Sequence, residues 1–272
     1  MSGTLYVVGT PIGNLGDLSP RALDVLEKCD FIAAEDTRVT LKLLNHFGIK
    51  KALVSYHEHN RFAQGGPIAE RILSGENCAL VTDAGMPAIS DPGEDLVRLC
   101  HEKGIRVESV PGPTAFATAV AISGMPSGRF TFEGFLSVNK VSRKEHLESL
   151  ADEKRTMVFY EAPHKLPRTL ADMAECFGDR KIALIKELTK IHETVERTSL
   201  FAARDKYLET PPKGEYVIVI EGKPEEKKTV SLEEAVEMAK QLRENGVPVS
   251  DAAKTAAKKT GLKKGDIYKE LI

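Results

Sequence analysis

The 272-residue chain contains no apolar run close to the roughly 18 residues that cross a bilayer, so no membrane span or membrane partner is expected. Paired cysteines are missing too. Cys29, Cys78, Cys100 and Cys176 lie far apart, with no CxxC and no matching histidine spacing. That excludes a disulfide framework and a zinc site, and predicts buried thiols in a reducing cytoplasm. There is little charge of either sign in excess: the formal net charge of -2 excludes a globally basic nucleic-acid binder but leaves room for a local basic patch. Residues 5–8, LYVV, follow the start without a basic leader, so no signal peptide is expected. Neither the GxGxxG dinucleotide fingerprint nor a GxxxxGK[ST] phosphate loop occurs. With 42% hydrophobic and 29% charged residues, what remains is an ordinary globular composition, long enough for two domains.

What the first half does contain is one pattern three times over. Residues 5–16 (LYVVGTPIGNLG), 80–93 (LVTDAGMPAISDPG) and 110–124 (VPGPTAFATAVAISG) each run an apolar stretch into a Gly/Pro-punctuated loop. A strand ending in such a turn presents backbone N–H and C=O groups to a ligand without side chains in the way. In open α/β sheets ligands sit at the carboxyl ends of strands, so three such loops predict one shared pocket for a small-molecule cofactor.

Strand-like runs at 5–8, 31–34, 52–55, 79–81 and 107–110 alternate with helical patterns at 20–28, 39–46, 68–74 and 94–103. Alternation of this kind predicts a mostly parallel α/β sheet. Further strand-like runs at 129–136, 156–160, 181–186 and 216–220, with helices at 144–150 and 166–176, fit a second, more antiparallel α/β domain. The expected division is 1–115 and 116–222, then a polar linker at 223–229 (KPEEKKT), then a helical extension at 230–272. In that extension Ser231-Leu232-Glu233-Glu234 has capping-box form, Gly246 and Pro248 stop the first helix, and Thr260-Gly261-Leu262 breaks the second. A third helix is expected at 263–271, and helix, Gly-containing turn, helix is a helix-turn-helix-like pattern. From residue 250 onward six lysines face three acids, a formal +3.

The motifs GTPIGNLGD (9–17), AAEDTR (33–38), SYHEHN (55–60), TDAGMPAISDPG (82–93), PGPTAFATA (111–119), YEAPHK (160–165) and KELTKIHE (186–193) occur in that order. Together they resemble the class III, tetrapyrrole-methylase-like methyltransferases that use S-adenosylmethionine (SAM). Within that class the chain is similar to the bacterial branch that methylates the ribose 2'-hydroxyl of a cytidine in the decoding region of 16S ribosomal RNA. The resemblance covers nearly the whole chain. It implies two α/β domains with SAM in the cleft between them, a helical RNA-contacting extension, a homodimer, and the small ribosomal subunit as partner. The residues it carries to the cofactor are Thr10, Pro11, Ile12, Gly13, Asp83, Ala84, Gly85, Met86, Ile89, Ser90, Thr114, Ala115, Tyr160, Leu188, Gly214 and Glu215. One departure is visible: Gly9-Thr10-Pro11-Ile12-Gly13 replaces the GPGDP-type first loop of the tetrapyrrole branch, which favours RNA over a porphyrinoid substrate.

Methyl transfer from a sulfonium needs alignment more than charge stabilisation, and alignment supplies roughly 7–11 kcal/mol of such a barrier. A ribose hydroxyl also needs a proton acceptor, helping roughly 10²–10⁴-fold. Candidates at strand ends are Glu35, Asp36, His57, Glu58, His59, Asp83 and Glu187. Asp36 and His57 are the favoured pair, with Glu187 a further catalytic candidate and Arg38 clamping a phosphate. The plain alternative makes Asp36 a helix N-cap paired locally with Arg38. His57 and His59 read equally as solvated loop residues, and without a third ligand no metal is expected. Thr114 either caps the following helix or meets a carboxylate at its N-terminus. His164, Lys165, Lys263 and Lys264 are the other candidate RNA contacts, against the reading that they are solvated surface. Two rival functions stand beside the leading one: a small-molecule (tetrapyrrole or precorrin-type) methyltransferase of the same fold, and a ligand-sensing helix-turn-helix regulator.

Overall fold

A computed structural model describes residues 2–224 and 231–272. Most of the expected linker, and residue 230 at the start of the extension, lie outside the described residues. The chain separates into two compact units, Met1–Lys223 and Pro224–Ile272.

The first unit holds two five-stranded sheets. In the first, β1 (Thr4–Val8), β2 (Phe31–Ala34), β3 (Ala52–Ser55), β4 (Cys78–Val81) and β5 (Arg106–Val110) are ordered β3-β2-β4-β1-β5. All neighbours are parallel. Helices α1 (Pro20–Lys28), α2 (Thr37–His46), α3 (Arg61–Leu73) and α4 (Glu94–Glu102) make the crossovers. β2 (FIAA) and β4 (CALV) are fully buried apolar runs because helices cover both faces, whereas β5 (RVESV) at the edge keeps polar, exposed residues. Leu5, Phe31 and Leu80 enter one buried cluster while Val8, Ile32 and Val81 enter another. Burying a side chain of this size stabilises by roughly 1.5–3 kcal/mol. The order sets β4, β1 and β5 side by side, so the three Gly/Pro loops leave from adjacent strand ends.

The second sheet is mixed. It comprises β6 (Phe130–Phe135), β7 (Thr156–Glu161), β8 (Lys181–Lys186), β9 (Thr194–Ser199) and β10 (Tyr216–Ile220), in the order β6-β7-β10-β8-β9. β6 and β7 are parallel and the other pairs antiparallel. All of β10, YVIVI, is buried. Its Ile218 and Ile220 join one core with α6 (Lys140–Ser149), α7 (Leu166–Phe177) and α8 (Leu200–Glu209), while Val217 and Val219 join the opposite one with α5 (Ala115–Ser123). We propose the boundary between the two α/β halves near residues 115 and 116, because Ala119 and Val120 of α5 pack against this second sheet.

Two local readings differ from the sequence expectation. α3 starts at Arg61, ahead of the expected 68, and runs through Gly65, Gly66 and Pro67. Burial of Gly65, Ile68, Ala69 and Ile72 outweighs the local breaker signal. β9 and α8 occupy residues 194–209, where no element was expected. β9 is a polar edge strand, TVERTS, and lacks the apolar run that marks buried strands.

Among the described residues, the second unit is three short helices, α9 (Leu232–Glu244), α10 (Val249–Thr260) and α11 (Lys264–Lys269). Ser231 and Glu234 form the reciprocal capping box. Gly261 takes a left-handed φ of 74° after α10, where a side chain would be strained. Ala235, Ala239, Ala252, Ala253, Ala256 and Ile267 form its own small core.

Candidate active site

The three loops are stitched by main-chain contacts. Thr10 N donates to Gly85 O at 2.9 Å and Gly85 N returns to Thr10 O at 3.1 Å. Thr10 Oγ1 adds a bond to Thr82 O at 3.1 Å. Gly9 N donates to Val110 O at 3.0 Å, and a Cβ on Gly112 would fall 2.8 Å from Gly9 O, so glycine alone permits that approach. The second loop holds Ala88 at φ 66° and Ser90 at φ 64°, left-handed values that cost a non-glycine residue energy and mark functional loops.

These loops and the second sheet enclose a cavity of about 430 Å³. Ile12, Asp83–Met86, Ile89, Thr114 and Ala115 line it from the first half. Tyr160, Leu188 and Glu215, with Phe135, Ile185 and Val217, line it from the second. Eleven of the sixteen expected cofactor residues are therefore on its wall. The remaining five, Thr10, Pro11, Gly13, Ser90 and Gly214, are not, and several of them shape the loops behind it. A Cβ on Gly13 would sit 2.6 Å from Lys190, and one on Gly214 2.6 Å from Glu187.

Acidic groups line the cavity from both halves, Glu35, Asp83 and Asp91 from the first and Glu161 and Glu215 from the second. Glu35 Oε2 accepts from Thr82 Oγ1 at 2.5 Å and from Asp83 N at 3.4 Å. Asp91 lines the same cavity, and burial, reinforced by the charges of Glu35 and Asp83, pushes its carboxyl up to about 6. Burial and Glu35 also raise Asp83. The N-terminus of α5 lines the same cavity through Thr114 and Ala115; Thr114 makes no side-chain cap there, and Phe116 N donates to Tyr160 Oη at 3.0 Å. Carboxylates and a helix N-terminus sharing one cavity with apolar walls suit a zwitterionic ligand carrying extra positive charge.

Neither member of the favoured proton-handling pair is among the residues lining the cavity. Asp36 caps α2, accepting from Arg38 N at 2.8 Å, and its carboxylate is gripped by the Arg38 guanidinium at 3.0 and 2.6 Å. Those bonds hold it down at about 2, too acidic to take a proton efficiently near neutrality. The plain alternative, a cap with a local ion pair, describes its bonding. Arg38 remains exposed, and Asp36 N donates to Asp83 Oδ1 at 3.1 Å, which ties this turn to the cavity wall. His57 is held through its backbone, its N donating to Asn60 Oδ1 at 2.8 Å, and is not on the wall. Glu187 serves as a brace: its Oε1 accepts from Glu215 N at 2.9 Å and Lys190 Nζ at 3.0 Å. Those bonds lower its carboxyl. His164 and Lys165 directly follow the wall residues Ala162 and Pro163. Lys263 precedes α11, and Lys264 Nζ donates to Ser250 Oγ at 2.9 Å.

Glu35 was in reach of sequence reasoning as a strand-end acid, and Asp91 was read only as turn chemistry. Phe135, Ile185, Tyr216 and Val217 carried no signal, because only the closing of the second sheet brings them to the wall, whereas Glu161 lies within the YEAPHK motif at 160–165.

This two-sheet arrangement is that of the Tetrapyrrole (Corrin/Porphyrin) Methylases, whose family model matches residues 4–203. Among solved structures, diphthine synthase superposes with a TM-score of 0.62 at 16% identity, covering 81% of this chain and 90% of that one. Uroporphyrin-III-C-methyltransferase from Thermus thermophilus does so at 0.56 and 21%, covering 80% and 94%. Curated relatives extend the likeness through the helical tail. "Ribosomal RNA small subunit methyltransferase I" of Synechocystis sp. is 45% identical over 98% of this chain and 96% of its own length. The protein of that name from Xylella fastidiosa (strain Temecula1) is 46% identical, covering 98% of each chain. The Escherichia coli O157:H7 one is 42% identical over 98% and 94%. The chain thus belongs to the tetrapyrrole methylase family and, within it, to the ribosomal RNA small subunit methyltransferase I group.

Proposed function

We propose that this chain is a SAM-dependent methyltransferase acting on the ribose 2'-hydroxyl of a cytidine in the decoding region of 16S ribosomal RNA. The observation that carries the reading is the cavity itself, built where three adjacent parallel strands end and closed by the second sheet. Its residues fit the cofactor by charge. Asp83 and Glu35 would hold its ammonium, the start of α5 its carboxylate, and Ile12, Ile185, Leu188 and Val217 its apolar parts. SAM supplies an electrophilic methyl group on a sulfonium. The chain supplies position, exclusion of water, and at Asp91 a carboxylate that ionises near neutrality and so can accept the hydroxyl proton.

The RNA substrate is supported by the reach of the relatives, which match through the lysine-bearing tail that lies past residue 203. Exposed Arg38 and His164 and half-buried Lys165 beside the cavity, and Lys263 and Lys264 on the tail, are assigned to phosphates, contacts that hold RNA without reading its sequence. The proposal includes a homodimer, open to sedimentation analysis, and action in the cytoplasm. Incubation with methyl-labelled SAM and small ribosomal subunits, followed by nucleoside mass analysis, tests the reading. Label in 2'-O-methylcytidine is expected. Label on a base, or none in RNA, contradicts it.

A further inference from the structure

β6 carries an irregularity that sequence period does not announce. Along an unbroken strand Phe132 and Phe135, three residues apart, face opposite sides of the sheet. Here Phe132 pairs with Val158, Gly134 with Phe159 and Phe135 with Tyr160, so β6 fits one residue more than β7. The extra residue is accommodated by Gly134 at φ 64°, a left-handed value suited to glycine. The bulge returns Phe135 to the face of Phe132 and Tyr160. Their ring spacings agree: Phe132–Tyr160 4.9 Å and Phe135–Tyr160 5.4 Å. That face is the cavity face, where Tyr160, Ile185 and Val217 lie. A bulge that turns a side chain toward a site is a recurrent device beside active sites.

Phe135 is also unlike its neighbours in exposure. Ile185 is 0%, Val217 6% and Leu188 7% exposed, whereas Phe135 is 56% exposed while lining the same cavity. One side of its ring is supported by Tyr160, itself fixed by the bond from Phe116 N. Gly134 abuts the strained 88–90 loop: a Cβ there would lie 3.0 Å from Ser90 Oγ. Phe135 thus stands on the rim, at the meeting of loops from both sheets, with a free aromatic surface.

We propose that Phe135 is the platform on which a nucleobase of the RNA substrate stacks, setting the target ribose over the cavity. This rests on the methyltransferase reading above. A cofactor enclosed by the buried wall leaves the rim ring uncovered, and an unstacked RNA base is the planar group the second substrate brings. Aromatic side chains hold splayed-out RNA bases in this way.

The test pairs Phe135→Ala with Phe135→Leu and Phe135→Trp, reading SAM affinity by calorimetry and kcat/KM for methyl transfer to small ribosomal subunits. Phe135→Ala is expected to lower kcat/KM about 5- to 150-fold, the range that stacking deletions cost, with SAM affinity within about twofold of the parent. Unchanged SAM affinity also certifies folding. Phe135→Trp should restore transfer and Phe135→Leu, apolar but without a π face, should not. Unchanged kcat/KM in Phe135→Ala, or full activity in Phe135→Leu, overturns the platform. Loss of SAM affinity in step with kcat/KM overturns it in favour of a cofactor contact. A parent enzyme inactive on RNA refutes the functional reading itself, and this inference with it, a result distinct from the others.

Discussion

Asp91 offers the sharpest test of the cavity's electrostatics, because its carboxyl is held at about 6 against an ordinary 3.8. Burial is the largest cause, followed by the charges of Glu35 and Asp83. At about 1.4 kcal/mol per pKa unit, keeping it ionised costs the folded chain at most about 3 kcal/mol. Water enters an open cavity and screens part of this, leaving about 1–2 kcal/mol. From about pH 4 to 6 folded Asp91 keeps a proton that the unfolded chain has released, so its effect is to lower stability as pH rises through that window. Above the window the deficit is complete. Asp91→Asn removes the charge, so urea unfolding should show it about 1–2 kcal/mol more stable than the parent near pH 7.5, with the gap closing toward pH 4. Methyl transfer by the variant should fall at the same time, since the proton acceptor is gone. A gap of equal size at both pH values, or a less stable variant, would refute this reasoning. Added SAM carries positive charge toward the acids, so its affinity in the parent should weaken as pH falls below 6.

The close approach of the first and third loops predicts that Gly112→Ala, forcing a Cβ to 2.8 Å from Gly9 O, costs about 1–3 kcal/mol. Calorimetry should find SAM binding about 5- to 150-fold weaker if the strain falls on the cavity. Asp36→Asn keeps a capping oxygen and should retain SAM binding and most transfer activity, whereas Asp36→Ala should lower the melting temperature. Inactive, fully folded Asp36→Asn would return the carboxylate to a chemical role. Truncation after Lys223 should leave SAM affinity intact, since the cavity lies wholly before it, and weaken binding to small ribosomal subunits in filter assays.

The central strands of the first sheet were legible because burial on both faces makes β2 and β4 short apolar runs, and the observed ends of all five strands differ from expectation by at most one residue. The loops were legible for a chemical reason: Gly9, Gly85 and Gly112 stand where backbones meet or φ is positive. β9 was not, because an edge strand may stay polar and TVERTS has no apolar period. The acids show the limit within the site. Glu35 and Asp36 are adjacent and both carboxylates, yet one bonds Thr82 in the cavity and the other caps α2. Composition and spacing are the same for both, and only the path of the chain after β2 separates them. Phe135 illustrates the same point, since its face is set by a bulge that a period-two reading assigns to the wrong side.

A crystal structure with S-adenosylhomocysteine bound tests the central claim most directly. The ligand is expected inside the cavity, bounded by Asp83–Met86, Thr114, Ala115 and Leu188, with the ring of Phe135 left open to solvent. A ligand lodged on any other face of the molecule, or a cavity that stays empty under saturating ligand, would contradict it.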